Sequence, residues 1–72
     1  MDIRQLRNFL AVVRFQSFSR AAESIGKSQQ ALSKSVQALE NELGVPLLIR
    51  SAKTVKLTAS GKLLAASAHI ID

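Results

Sequence analysis

Gln30, Ser33, Lys34, Gln37 and Asn41 fall together on one side of the chain if the stretch that holds them is helical. Gln29 stands at the edge of that side, in the first turn. The groups on offer are amides, a hydroxyl and one ammonium, with no carboxylate among them. Amides and hydroxyls hydrogen-bond the base edges exposed in a major groove, where Gln pairs best with adenine and Lys with guanine. A helix face selected only for solubility is more often rich in Glu and Lys paired at i, i+4. The start of such a helix also presents free backbone amides and the positive end of a dipole, which suit a phosphate.

Catalytic chemistry finds no support. The one histidine, His69, has no cysteine or carboxylate at ligand spacing, and the chain has no cysteine at all. Glu40 and Glu42 are two apart and point in opposed directions on a helix, unlike a carboxylate pair that shares a substrate. The serines lack a partner base, and the three glycines stand singly at 26, 44 and 61, so no phosphate-cradling loop exists. Catalytic, cofactor-binding and metal residues are therefore not expected, and neither is an enzyme.

The elements that must position these groups follow from periodicity. Ile3, Leu6, Phe9, Leu10 and Val13 form the stripe of an amphipathic helix over residues 3–14, opened by a capping box from Asp2 and Gln5. Arg4, Arg7 and Arg14 fall on one flank of that stripe. Ser19 is the expected cap of a short helix through Ile25, ended by Gly26. Ser28 then caps a longer helix from Gln29 to about Leu43, whose inward stripe is Leu32, Val36, Leu39 and Leu43, closed by Gly44 and Pro46. Two helices joined by a three-residue turn containing glycine match a helix-turn-helix, and the small Ala21 and Ala22 permit close approach. Beyond Pro46, residues 47–50 and 55–57 read as a two-stranded hairpin around 51–54, with Leu47, Ile49, Val55 and Leu57 inward and Arg50 and Lys56 outward. Thr58 caps a last helix, in whose first turn Gly61 costs up to ~1 kcal/mol relative to alanine.

The chain has 72 residues, room for one small domain, and a core of this size benefits from dimerisation. No stretch approaches the ~20 consecutive apolar residues of a membrane span, and the N-terminus lacks the basic-then-apolar order of a secretory signal. A cytoplasmic chain with no membrane partner is the expectation. Ten Lys and Arg against five Asp and Glu leave a net charge of +5, and the segment between Leu43 and Ile71 holds no acidic residue. Such an excess favours a polyanion. A module that binds protein, or a basic surface that binds acidic lipid, remains open at this point, although the three Phe sit on or beside core stripes rather than on an exposed face.

The ordered set Leu6-Arg7-Asn8-Phe9, 17–22, 28–34 and 39–44, followed by Leu47, Arg50, Val55, Leu57, Thr58 and Gly61, resembles the N-terminal DNA-binding domain of LysR-type transcriptional regulators over essentially the whole chain. The resemblance implies a mainly α winged helix-turn-helix: three helices plus a two-stranded β-hairpin wing, then the start of a linker and dimerisation helix. Residues 1–58 would form the DNA-binding domain and 59–72 the beginning of the linker, with the small-molecule effector bound by a further domain. The partner implied is double-stranded DNA, and this fragment needs no cofactor. The DNA-facing candidates are Ser28, Gln29, Gln30, Ser33, Lys34 and Gln37 on the helix and Arg50, Lys53 and Lys56 in the wing. Leu63, Leu64, Ser67, Ile70 and Ile71 are the candidates for homodimer contact.

Three departures from the family pattern bear on specificity. Gln30 stands where the family commonly has Pro, which exchanges an apolar contact for a hydrogen-bonding amide. Lys34 replaces the usual Arg and lacks its bidentate fork. Lys27 takes a usually apolar place, where its stem packs and its ammonium reaches toward solvent or phosphate. Leu48, often Phe in the family, alters packing only.

Overall fold

In a computed structural model of the chain, residues 2–51 and 54–71 are described, the side chains of 69–71 excepted. Lys53 and the side chains of His69, Ile70 and Ile71 thus lie outside the described residues. Among those described, the order is α1 (Ile3–Phe15), α2 (Phe18–Ile25), α3 (Gln29–Leu43), β1 (Leu48–Arg50), β2 (Val55–Leu57) and α4 (Ala59–Ile71).

Local chemistry accounts for the helix ends. Asp2 caps α1 by accepting from the Arg4 amide at 2.8 Å, and the reciprocal bond runs from the Asp2 amide to Gln5 Oε1 at 3.3 Å. The Arg4 amide, and then its guanidinium, hold the Asp2 carboxyl below its ordinary value. Because the folded value is the lowered one, this cap is intact at neutral pH and is lost as pH falls through that value. Ser28 accepts from the Ala31 amide at 3.0 Å at the start of α3. Gly26 and Gly44 end α2 and α3 with φ of +70° and +75°, a left-handed backbone that glycine adopts without steric cost. The short helix differs from expectation in one respect: α2 begins at Phe18, capped by Ser17 rather than Ser19. The earlier start carries Phe18 into the core.

The three helices of the body pack on one another around Phe9, Val12, Ala21, Leu32, Val36 and Leu39, each of which is fully buried. Two expected core positions stay open instead: Ile3 and Leu43 are 56% and 41% exposed. Each lies at an end of its helix, Ile3 opening α1 and Leu43 closing α3. A polar pair supplements the packing, since the buried Asn8 side chain donates to Ser35 Oγ at 2.8 Å and so joins α1 to α3.

β1 and β2 pair antiparallel, with Leu48 opposite Leu57 and Arg50 opposite Val55. The inward phase of β1 is one residue off the expected one: Leu48 is buried and Ile49 is 54% exposed. Leu47 is buried too, but it precedes the strand and owes its place to other bonds. Its amide donates to Glu40 Oε2 at 2.7 Å, and the Leu48 amide donates to the same oxygen at 3.2 Å. The Leu47 carbonyl accepts from the Thr58 amide at 3.0 Å. One extra residue ahead of the ladder reverses which side chains face in.

Thr58 caps α4 by accepting from the Gly61 amide at 2.9 Å, and its hydroxyl donates to the Pro46 carbonyl at 2.7 Å. α4 then packs against α1 and β2 and buries Ala68. Gly61 is the closest approach in this joint, because a Cβ there would overlap the Leu47 carbonyl oxygen. The helix-propensity gain of a Gly61→Ala substitution, at most ~1 kcal/mol, is opposed by an overlap with rigid backbone. Overpacking of this kind costs about 1–3 kcal/mol, so Gly61→Ala is expected to lower the thermal unfolding midpoint followed by circular dichroism. An unchanged or raised midpoint would show that the joint relaxes freely.

Candidate nucleic-acid interface

α3 is the element that positions the polar face. With Leu32, Val36 and Leu39 sealed against the body, Gln29, Gln30, Lys34, Gln37 and Asn41 are all exposed, as is the capping Ser28. The side opposite the core thus carries the amides and the ammonium without an intervening carboxylate. Ser33 differs from its neighbours. At 100° per residue it falls on the flank of α3 rather than at the centre of the polar side, and it is half-buried.

That flank faces the hairpin. Glu40, two turns after Ser33, holds the backbone entering β1 by the two amide bonds described above. Arg50, at the end of β1, reaches back across the same flank, where its Nη1 donates to Ser33 Oγ at 2.8 Å. The Arg50 guanidinium also lies over the Phe18 ring, 4.5 Å from its centroid, which joins the start of α2 to the wing. Arg50 was expected to point outward, and it is exposed, but it is tethered rather than free. Lys56, opposite Ile49, points away from the body as expected. Lys53 lies outside the described residues.

The hairpin turn is closed by Ser51 and Thr54. The Ser51 amide donates to the Thr54 carbonyl at 3.0 Å, and the Ser51 hydroxyl does so at 2.8 Å. A cleft between this turn and the starts of α2 and α3 is lined by the amides and hydroxyls of Gln16, Ser17, Ser19, Gln29, Ser51 and Thr54 together with the apolar Phe18 and Val55. Every described Lys and Arg is exposed. The electrostatic surface is therefore basic, while the polar face of α3 carries hydrogen-bonding groups of both kinds.

The candidates in the last helix separate. Leu63 is 72% exposed, Ser67 is exposed and Leu64 is half-buried against the body, whereas Ile70 and Ile71 lie outside the described side chains. Two participants escaped the sequence reading. In the sequence Glu40 stands out only beside Glu42, as a pair unsuited to catalysis, and the stacking of Arg50 on Phe18 has no spacing signal, because 32 residues separate the two. Among the described residues, no cluster of three or more His, Cys, Asp or Glu is placed to hold a metal ion. No described helix is long and apolar enough to cross a membrane.

Comparison with known proteins places this geometry in context. Residues 3–62 match the family described as bacterial regulatory helix-turn-helix protein, lysR family. The chain is 51% identical over 63 residues to the probable cat1 operon transcriptional activator of Acinetobacter lwoffii, which covers 88% of this chain and 21% of that protein. It is 54% identical over 63 residues to the SDS degradation transcriptional activation protein of a Pseudomonas strain, again over 88% of this chain and 21% of that protein. Its fold matches the crystal structure of the BenM DBD in complex with catB site 1 DNA, with a TM-score of 0.94 and 42% identity over 99% of this chain and 80% of that one. The chain spans 21% of the length of these two curated relatives. With the match running from the start of α1 into α4, the chain belongs to the lysR family of bacterial regulatory helix-turn-helix proteins.

Proposed function

We propose that this chain is the duplex-reading part of a LysR-type transcriptional regulator, with α3 inserted in a major groove. The observation that carries the proposal is the exposed, carboxylate-free row of Gln30, Lys34, Gln37 and Asn41 on a helix whose other side is sealed in the core. The similarity to a structure named as a DNA complex supports it. In this reading Gln29, Gln30, Ser33, Lys34 and Gln37 face base edges, and Ser28 brings the amide-rich start of α3 to a phosphate. Arg50, Lys53 and Lys56 place the wing beside the backbone or in the minor groove. The cleft lined by Ser17, Ser19 and Ser51 adds hydroxyls along the path of a phosphate strand.

Residues 59–72 begin a linker helix through which two copies pair, with Leu63, Leu64, Ser67, Ile70 and Ile71 in the contact. Residues 1–58 are then the DNA-binding domain proper, and a small-molecule effector binds a separate domain of the whole protein. The setting is the bacterial cytoplasm, where the duplex target resides. Two recognition helices about 34–36 Å apart enter successive turns of the groove, so the target consists of two related half-sites.

Selection of bound sequences from a random duplex pool tests the central claim, and the expected result is an enriched consensus. On that consensus, Lys34→Ala is expected to narrow the affinity gap between selected and unrelated duplexes by about 1–3 kcal/mol. Lys56→Ala is expected to weaken binding to every duplex alike and to reduce the slope of log affinity against log salt by about 1. Reversed patterns would exchange the roles given to the two lysines. For the pairing helix, Leu63→Glu is expected to abolish cooperative binding to a duplex with two half-sites and to leave single-half-site binding intact. Cooperativity that survives the substitution would remove Leu63 from the interface.

A further inference from the structure

Resting on the reading of α3 as the groove-facing helix, we infer that Arg50 is a positioning residue that biases Ser33 toward donating its hydroxyl proton to the DNA bases. The argument begins with what the two groups are able to do. A guanidinium carries donors only, so the 2.8 Å bond between Arg50 Nη1 and Ser33 Oγ engages the serine as acceptor. The serine hydroxyl keeps one proton to donate and one free lone pair, and a donor approaching that lone pair meets the positive charge of the guanidinium. A neighbouring cation also withdraws electron density from that oxygen and strengthens it as a donor.

The placement of the arginine is itself over-determined. Its guanidinium lies 4.5 Å from the Phe18 ring centroid, and its backbone is held in the ladder opposite Val55. Phe18 is buried at the start of α2, so the ring cannot move away without disturbing the core. Three elements therefore converge on one hydroxyl: α2 through the ring, the wing through the guanidinium and α3 through Ser33. A free serine on a groove-facing helix rotates to accept from an amino group or to donate to a carbonyl, and so discriminates weakly. Tethered as it is, Ser33 favours acceptors in the groove, namely the N7 and O6 of guanine, the N7 of adenine or the O4 of thymine, over the amino groups of adenine and cytosine. The wing thereby contributes to base choice through a residue of the recognition helix, without touching a base itself.

The test uses affinities for the consensus duplex from the pool selection and for its single-pair variants. Ser33→Ala identifies the pair it reads as the one at which discrimination relaxes. Arg50→Met and Arg50→Lys are each expected to relax discrimination at that same pair, by roughly threefold or more, and the Ser33→Ala/Arg50→Met double variant to relax it no further than either alone. Arg50→Lys is the telling variant, because it keeps the charge and loses the planar fork and the stacking on Phe18. Phe18→Leu, which retains an apolar side chain, is expected to act in the same direction at the same pair, with helical circular dichroism confirming that each variant folds. Wild-type discrimination in Arg50→Lys, additive effects in the double variant, or a uniform loss for Ser33→Ala across all duplexes overturns the inference. Absence of any enriched sequence for the unaltered chain overturns the functional reading first, and this inference with it.

Discussion

Burial on one side only is the constraint from which the rest of this small domain follows. Leu32, Val36 and Leu39 are removed entirely from water, and full burial of such side chains contributes about 1.5–3 kcal/mol each. That contribution sets the rotation of α3 about its own axis, since turning the helix would exchange leucine for glutamine and lysine in the core. The amide-bearing side is thus exposed because of what lies opposite it. The bond from Asn8 to Ser35 supports the same rotation from the other flank through a directional polar contact between α1 and α3.

The wing presents the opposite problem. Two strands of three residues each have little stability of their own, and their attachment to the body matters more than their pairing. Attachment comes from groups outside the ladder. Glu40 gathers the amides of Leu47 and Leu48, Thr58 spans from the start of α4 to the Pro46 carbonyl, and Arg50 rests on Phe18 and Ser33. The only carboxylate placed against the wing backbone in these bonds is used internally, as an acceptor for the chain that leads into β1. It therefore adds order beside α3 while its oxygen is taken up by backbone amides. The same arrangement brings a basic hairpin alongside α3 and ties it there through Arg50 and Ser33.

Much of this was legible in the residues. Asp2 with Gln5, Ser28, Gly26 and Gly44 are local signals whose meaning depends on a few neighbouring bonds, and the structure places each where the spacing predicted. The sides of α3 were legible for the same reason from Leu32 to Leu39, where the 3.6-residue period and the binary pattern coincide, whereas Leu43 in the last turn stays exposed and Ser33 lies on the flank. The start of α2 was less determined: Ser17 and Ser19 are both good caps, and the preference for Ser17 comes from the burial of Phe18, a tertiary effect. The hairpin phase was missed because Leu47 is buried by bonds to Glu40 and Thr58 rather than by strand alternation, so counting by twos from Leu47 inverted the face.

The sequence by itself determined the helices, the turn between them and the chemistry of the exposed row, since all of these rest on interactions between residues close along the chain. Only the tertiary structure decided how the wing meets the helix. The contacts of Arg50 with Phe18 and Ser33, of Glu40 with the entry to β1, and of Gly61 with the Leu47 carbonyl depend on the distance between elements and on the direction of single side chains. No periodicity encodes those quantities. They emerge when several apolar stripes compete for one core and the polar groups around it must find partners in whatever geometry results.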